Sequence, residues 1–318
     1  MTPRVVVTDQ AFGQVRRERA TAERFAATFS AHHCTDEPST VEAVRGADVA
    51  LVNFAPVTRA VLAALAPGAT VIRYGIGYDN VDVDAARALG VRVANVPDYG
   101  TDTVADHAVA CLLTLLRRLP AYDRAIRTDG WVGPSDVGPL PSLTATTVGL
   151  VGTGKIGLAV RERLRPFGCL VLASDPYADP AALAERGIEC VALPELLARS
   201  HAVSLHAPAT RATHRLIGPG NLARMRPGAV LVNTSRGALV DPHALAEALR
   251  TGQLAGAALD VHDPEPLPDD SPLRSSPGAL LTPHAAFYST ESLDALQRLA
   301  AEEAARALAG QPLRCQVA

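Results

Sequence analysis

Three residues of this 318-residue chain are of types, and in settings, that could hold an anion and move a proton. Arg236 lies in Asn233-Thr234-Ser235-Arg236-Gly237, Glu265 in Asp260-Val261-His262-Asp263-Pro264-Glu265-Pro266, and His284 in Thr282-Pro283-His284-Ala285-Ala286. Reducing a carbonyl beside a carboxylate needs the carboxylate held, the carbonyl polarised and a proton delivered as hydride reaches carbon. Arg236 suits the first two tasks, because its planar, permanently charged fork makes directional bonds to carboxylate or carbonyl oxygen. His284 suits the third, since an imidazole that titrates near ~6.5 can give or take a proton around neutrality. Glu265 would orient that imidazole and stabilise its protonated form. Singly, each has a plainer alternative: a solvated arginine, a structural histidine, a glutamate in a proline-rich loop. The combination carries the reading.

A second constellation would bring the hydride. The strand-like Thr147–Val151 runs into Gly152-Thr153-Gly154-Lys155-Ile156-Gly157 and then into a helical stretch, LAVRERLRPFG. In this setting Gly152 permits the tight turn, Gly154 lets backbone approach a pyrophosphate, and Gly157 lets helix pack on strand. The helix start, at Lys155 and Ile156, offers free N–H groups to phosphate. Asp175 ends the next strand, roughly 20 residues on, where a carboxylate meets the ribose hydroxyls. Ser174-Asp175-Pro176-Tyr177 has no arginine to receive a 2′-phosphate, so charge favours NAD over NADP.

The elements that must position these residues alternate between β-branched runs and Ala/Leu/Arg-rich helical segments, the pattern of parallel α/β sheets. The first set of strands is Val5–Thr8, a weaker run near Phe29, Val49–Phe54, Thr70–Tyr74 and Val91–Val96, with helical pieces at Ala60–Leu65 and Asp84–Leu89. The second is Thr147–Val151, Leu170–Ser174, Gly187–Val191, Ala202–His206, Ala229–Thr234, Gly256–Val261 and Ala279–Thr282. A long helix, Thr103 to Arg118, lies between the sets. The stretch from Trp131 to Pro141 reads as an ordered arm, because a free linker rarely carries a tryptophan, and Ser292 to Ala309 is helical in pattern. The length suits two domains better than one.

Composition narrows the partners. A net charge of −3 gives no basic surplus for nucleic acid. Five dispersed cysteines without a Cys-x-x-Cys pair argue against a disulfide framework or a zinc site, and fit reduced thiols in a cytoplasmic protein. The histidine spacing offers no metal site. The N-terminus reads as a strand and not a signal peptide. The longest apolar helix is broken by Asp106 and His107 and is too short to span a bilayer.

These segments, with Leu205-His206-Ala207-Pro208 and Gly75-Ile76-Gly77-Tyr78-Asp79-Asn80, closely resemble the D-isomer-specific 2-hydroxyacid dehydrogenase family over nearly the whole chain. YGIGYDN and PHAAFYS look most like its branch of phosphoglycerate dehydrogenases and C-terminal-binding-protein dehydrogenases. The resemblance implies an α/β fold of two doubly wound parallel-sheet domains, a Rossmann cofactor domain inserted into a flavodoxin-like substrate domain. The cofactor domain would span 97–284, and the substrate domain 1–96 and 285–318, with the active site in the cleft between them. It implies NAD as cofactor, hydride transfer at C2 of a small 2-hydroxy or 2-oxo acid, and a homodimer exchanging the arm near Trp131.

It puts His206, Ala207, Pro208, Thr234, Ser235 and Asp260 on the cofactor side, and main-chain groups of Ile76 and Gly77 at the substrate carboxylate. Arg73, at a strand end before that loop, either pairs with a second anionic group such as phosphate or phosphonate, or bridges the domains. Phe287 and the strand end at Asn53 and Phe54 are expected to wall the substrate side chain. Since the sequence ends soon after its last helix, a separate regulatory domain is not expected. Three rival readings remain: a partner-binding corepressor-like protein with secondary activity, hydride transfer from formate or phosphite, and a non-enzymatic nucleotide sensor, which would have no reason to retain a paired acid and base. The retained Glu265 speaks against the second, because formate-type relatives replace that glutamate.

Overall fold

The computed structural model describes residues 2–318, which divide into two compact units: residues up to Gly100 with Tyr288–Ala318, and Thr101–Phe287. In the first unit the chain runs β1 (Arg4–Val7), α1 (Arg16–Arg24), β2 (Thr28–Ala31), α2 (Glu37–Val44), β3 (Val49–Val52), α3 (Arg59–Ala64), β4 (Thr70–Arg73), α4 (Val83–Leu89) and β5 (Arg92–Ala94). All pairings are parallel and the strand order is β2-β1-β3-β4-β5, the flavodoxin-like order. β3 and β4 are buried at every position because helices cover both faces, which is why β3 reads as an unbroken apolar run, while β4 is apolar only between Thr70 and Arg73. Side chains of Asp36, Thr58 and Asp82 cap the first turns of α2, α3 and α4, and Gly90 ends α4 in the left-handed conformation.

The second unit contains α5 (Thr101–Leu116), α6 (Leu119–Asp129), β6 (Thr147–Val151), α7 (Lys155–Leu164), β7 (Leu170–Ser174), α8 (Pro180–Glu185), β8 (Glu189–Cys190) and α9 (Leu193–Arg199). It continues through β9 (Ala202–Leu205), α10 (Pro219–Leu222), β10 (Ala229–Asn233), α11 (Pro242–Arg250), β11 (Leu254–Leu259) and β12 (Ala279–Leu281). Its sheet is parallel throughout, in the order β12-β11-β10-β9-β6-β7-β8. Read from β8, this is the Rossmann order with a seventh strand added. One apolar layer joins Leu112, Val160 and Leu164 to Val148, Leu150 and Val171; the other joins Leu196, Leu245 and Leu249 to Val203, Leu205 and Leu231.

The last helix, α12 (Thr290–Leu308), belongs to the first unit. Ser289 and Ser292 form a capping box at its start. Its Leu296, Leu299, Ala300 and Ala304 pack with Val5, Val7 and Leu51. Burial of Leu296 and Leu299 contributes roughly 2 kcal/mol each.

Two local expectations change, the end of the long helix and the place of residues 285–287. The helix expected to run to Arg118 stops at Leu116. Arg118 is left-handed (φ 50°) and α6 follows it, a helix the sequence pattern hides because none of its residues is buried. The Trp131 segment is tied by Tyr122 Oη to the Pro134 carbonyl (2.6 Å) and by Arg118 to the Val137 carbonyl, yet Trp131 itself is 94% exposed. Residues 285–287 stay with the second unit, since the Ala285 and Ala286 N–H groups bond the side chain of Asp260 there.

Candidate active site

In an open parallel sheet, ligand-binding loops leave the carboxyl ends of the strands. Gly152, Asp175, His206, Thr234–Arg236, Asp260 and Thr282–His284 follow β6, β7, β9, β10, β11 and β12, so one sheet edge collects nearly all the predicted chemistry of the second unit.

At β6 the glycine loop is packed for backbone alone. A Cβ on Gly152 (φ 97°) would sit 2.7 Å from the His206 carbonyl oxygen, and one on Gly157 would collide with the Gly152 carbonyl. Gly154 instead faces open space at the start of α7, beside Lys155 and Ile156. Asp175 Oδ2 accepts from both the N–H and the hydroxyl of Thr153 (2.8 Å each), and Oδ1 from the Tyr177 N–H (2.9 Å). Burial pushes this carboxyl up, but the bonds from Thr153 and Tyr177 outweigh it and hold the group below the usual carboxylate range. Asp175 therefore braces the loop it was expected to complement, with acceptor capacity left for a ribose hydroxyl.

Both ring nitrogens of the partly buried His206 are shielded from solvent and have no hydrogen-bond partner, and this desolvation drives its pKa down to about 4, so it is neutral at physiological pH. It leads into Ala207 and Pro208. The Thr234 hydroxyl is likewise buried without a partner. Ser235 Oγ donates to the Leu205 carbonyl (2.7 Å), while the buried Asn233 amide pins the turn through the Ser235 N–H and the Arg236 carbonyl. Buried polar atoms without partners are costly unless a ligand satisfies them. An open glycine, a helix N-terminus, a carboxylate and such atoms together fit a dinucleotide.

The catalytic candidates converge beside this edge. Glu265 Oε2 bonds His284 Nδ1 at 2.8 Å, and Glu265 Oε1 accepts from the His262 N–H at 2.9 Å. Burial raises the Glu265 carboxyl, but the bond and charge of His284 and the His262 N–H bring it below its ordinary value. A Cβ on Gly237 would collide with the His262 carbonyl, so the turn carrying Arg236 lies directly against the loop carrying Glu265. Arg236 Nη1 donates to the Ser235 carbonyl at 2.7 Å. His284 adopts a left-handed backbone (φ 51°), a conformation that costs a side-chain-bearing residue of order 1–3 kcal/mol.

Asp260, expected on the cofactor side, also sustains that conformation. Its side chain is 1% exposed. Oδ1 accepts from the Thr282 hydroxyl (2.6 Å) and the Ala285 N–H (2.8 Å), Oδ2 from the Ala286 N–H (2.9 Å), and its carbonyl from the His284 N–H (2.7 Å). His107 on α5 stands behind this array with Nε2 3.4 Å from the Thr282 hydroxyl and 3.8 Å from Asp260. Phe287 meets the His284 ring edge-on, centroids 6.1 Å apart.

In the first unit the predicted substrate residues also follow strand ends. Arg73 closes β4, is 8% exposed, and lays its guanidinium over Gly75, where any Cβ would strike it. Asn95 Nδ2 donates to the Ile76 carbonyl at 2.7 Å. Because the peptide is planar and trans, that bond turns the Gly77 N–H the opposite way. Asn53 is buried and Phe54 is 48% exposed. Sequence reading passed over Asp9, Asn80, Asn95, Thr153 and Thr282. The available signal was a polar residue directly after an apolar strand, as in VVVTD.

Among the described residues, no helix is long and apolar enough to cross a membrane, and no group of three His, Cys, Asp or Glu could hold a metal ion.

Residues 109–286 match the family described as D-isomer specific 2-hydroxyacid dehydrogenase, NAD binding domain. The chain is 42% identical over 277 residues to the D-3-phosphoglycerate dehydrogenase of Mycobacterium tuberculosis, covering 87% of this chain and 52% of that protein. It thus spans about half the length of that relative. It is 40% identical over 268 residues to the glyoxylate reductase of Korarchaeum cryptofilum, covering 82% of this chain and 80% of the relative. A solved D-lactate dehydrogenase from Aquifex aeolicus, complexed with NAD and lactic acid, superposes with a TM-score of 0.86 at 26% identity, covering 96% of each chain.

Proposed function

The chain belongs to the D-isomer-specific 2-hydroxyacid dehydrogenase family, and from that premise we propose that it transfers a hydride between NAD(H) and C2 of a small 2-hydroxy or 2-oxo acid, with D-specificity. The observation that carries this reading is the His284–Glu265 pair at 2.8 Å, on a loop held in a strained backbone conformation by the buried Asp260. Strain kept in place by buried bonds marks a site where geometry serves the reaction.

The second unit, with Gly152, Gly154, Lys155, Ile156, Gly157, Asp175, His206, Ala207, Pro208, Thr234, Ser235 and Asp260, is proposed to hold the dinucleotide. When bound, the nicotinamide supplies or accepts the hydride. Arg236 holds the substrate carboxylate and polarises the carbonyl. Glu265 engages Nδ1 of His284, so the proton passes at Nε2: to the carbonyl oxygen in reduction, from the hydroxyl in oxidation. Glu265, held ionised, stabilises the imidazolium whenever it forms.

The first unit is proposed as the substrate domain. The Gly77 N–H, with Ile76, would bind the carboxylate. Asn53 and Phe54 would form a wall for the substituent at C2, as would Phe287. Arg73 is proposed to meet a second anionic group, a phosphate, phosphonate or second carboxylate. A homodimer is also proposed: α6 buries none of its residues, although Leu119 and Ile126 are apolar and exposed, and Trp131 just beyond it is almost fully exposed. The five free cysteines fit a reducing cytoplasm.

The test is NADH consumption with glyoxylate, hydroxypyruvate, pyruvate, an aromatic 2-oxo acid, oxaloacetate, phosphonopyruvate and phosphohydroxypyruvate. Turnover of at least one, abolished in His284→Ala, is expected. Tight NADH binding with no turnover across the panel would instead favour the partner-binding reading.

A further inference from the structure

We propose that Asp9 is a positioning residue for substrate recognition: its buried carboxylate fixes the backbone of residues 53–55 so that this loop offers the substrate a neutral wall made of side chains. The inference rests on the reading of that loop as a substrate wall.

Asp9 is 5% exposed and follows β1. Its Oδ1 accepts from the Asn53 N–H (3.0 Å), and its Oδ2 from the Phe54 N–H (2.6 Å) and the Ala55 N–H (3.2 Å). The Thr8 hydroxyl donates to Oδ1 at 2.8 Å. Successive N–H groups converging on one point make an anion-binding nest. Here the chain's own carboxylate fills it. The loop's carbonyls are held from the other side, since Asn80 Nδ2 donates to those of Asn53 (3.2 Å) and Ala55 (2.9 Å). Asn80 also ends the segment that carries Gly75–Gly77, so the two loops are tied into one frame.

Two consequences follow for specificity. The N–H groups of 53–55 are committed to Asp9 and cannot read a substrate anion, so anion recognition in this unit is left to the Gly77 N–H and Arg73. What the loop can present is the half-exposed Phe54 ring, at a height set by Asp9. A charged acceptor makes bonds about twice as strong as a neutral one. An asparagine of equal size would keep one acceptor oxygen and turn an NH₂ toward the N–H donors. Asp9→Asn therefore loosens the loop without changing its volume.

The experiment compares two probes in the intact protein: glyoxylate, which has no side chain, and hydroxypyruvate, which has one. In Asp9→Asn, KM for hydroxypyruvate is expected to rise about tenfold, with kcat within about twofold and glyoxylate largely spared. NADH affinity should stay unchanged, while amide exchange at 53–55 accelerates. Asn80→Ala, which removes only the two carbonyl bonds, should move the hydroxypyruvate-to-glyoxylate KM ratio in the same direction by about threefold. It decides the matter should Asp9→Asn fail to fold. A ratio unmoved in these variants overturns the proposal. Phe54→Ala separates the two ways of failing. If it shifts the ratio while the others do not, the role of Asp9 falls alone. If it too leaves the ratio unchanged, the substrate-wall reading falls with it.

Discussion

The loops anchored by Asp9 and by Asp260 use one device for two purposes. Each aspartate follows a parallel strand, is almost fully buried, and accepts successive backbone N–H groups of a distant loop. In the first unit the held loop carries exposed Phe54 at its centre, and no residue of 53–55 has a positive φ. In the second the held loop contains His284 in a left-handed conformation, bonded to Glu265. A relaxed loop with a neutral surface suits binding. A strained loop aiming an ionisable ring suits chemistry. Damage to the second unit should therefore appear mainly in kcat, and damage to the first mainly in KM.

The largest effect that could break this contrast is at His284 itself. His284→Ala should lower kcat by about 10²–10⁴-fold, the usual contribution of a positioned acid–base group, with NADH affinity retained. Fluorescence titration of NADH beside steady-state kinetics would check it, and an unchanged kcat would remove the proton-transfer assignment. Asp260→Asn comes next. Misaiming of the His284 loop should reduce kcat by about 10²-fold while KM moves little. If KM rose instead, Asp260 would be acting in binding and the contrast would collapse.

Arg73→Ala sharpens the first-unit side. Selectivity for phosphohydroxypyruvate over hydroxypyruvate should fall by about tenfold or more, since a charge-assisted bond is removed. Equal losses on both substrates would return Arg73 to a structural role.

The smallest effect concerns pH. His206 has its pKa lowered from 6.5 to about 4 in the folded chain. Between those values the unfolded chain binds more protons, so stability rises with pH there. The contribution is fully present above about pH 6.5 and is lost as pH falls toward 4. Urea unfolding at pH 7 and pH 5 should show wild type losing about 1–2 kcal/mol more than His206→Leu. Equal losses would mean that the imidazole is not held neutral.

The fold class was legible because each level of the sequence agreed. Doubly buried strands read as apolar runs, and the glycine loop sat between a strand and a helix. The family segments supplied Arg236, Glu265 and His284 in order. Where one level was silent, reading failed. Helix α6 buries nothing in its own chain and so carries no core stripe. Asp260 stands at the strand end where it was expected, but the bonds its oxygens accept from Thr282, Ala285 and Ala286 had no local signal.

The sequence by itself determined which residue types stand at strand ends, because strand periodicity and glycine spacing are local properties of the chain. Tertiary structure alone decided which backbone groups those polar side chains bond. Asp9 reaches its partners across 44 to 46 residues, and Asp260 across 22 to 26. A buried carboxylate bonds whichever N–H groups the packed sheet brings beside it, and no local pattern encodes that meeting.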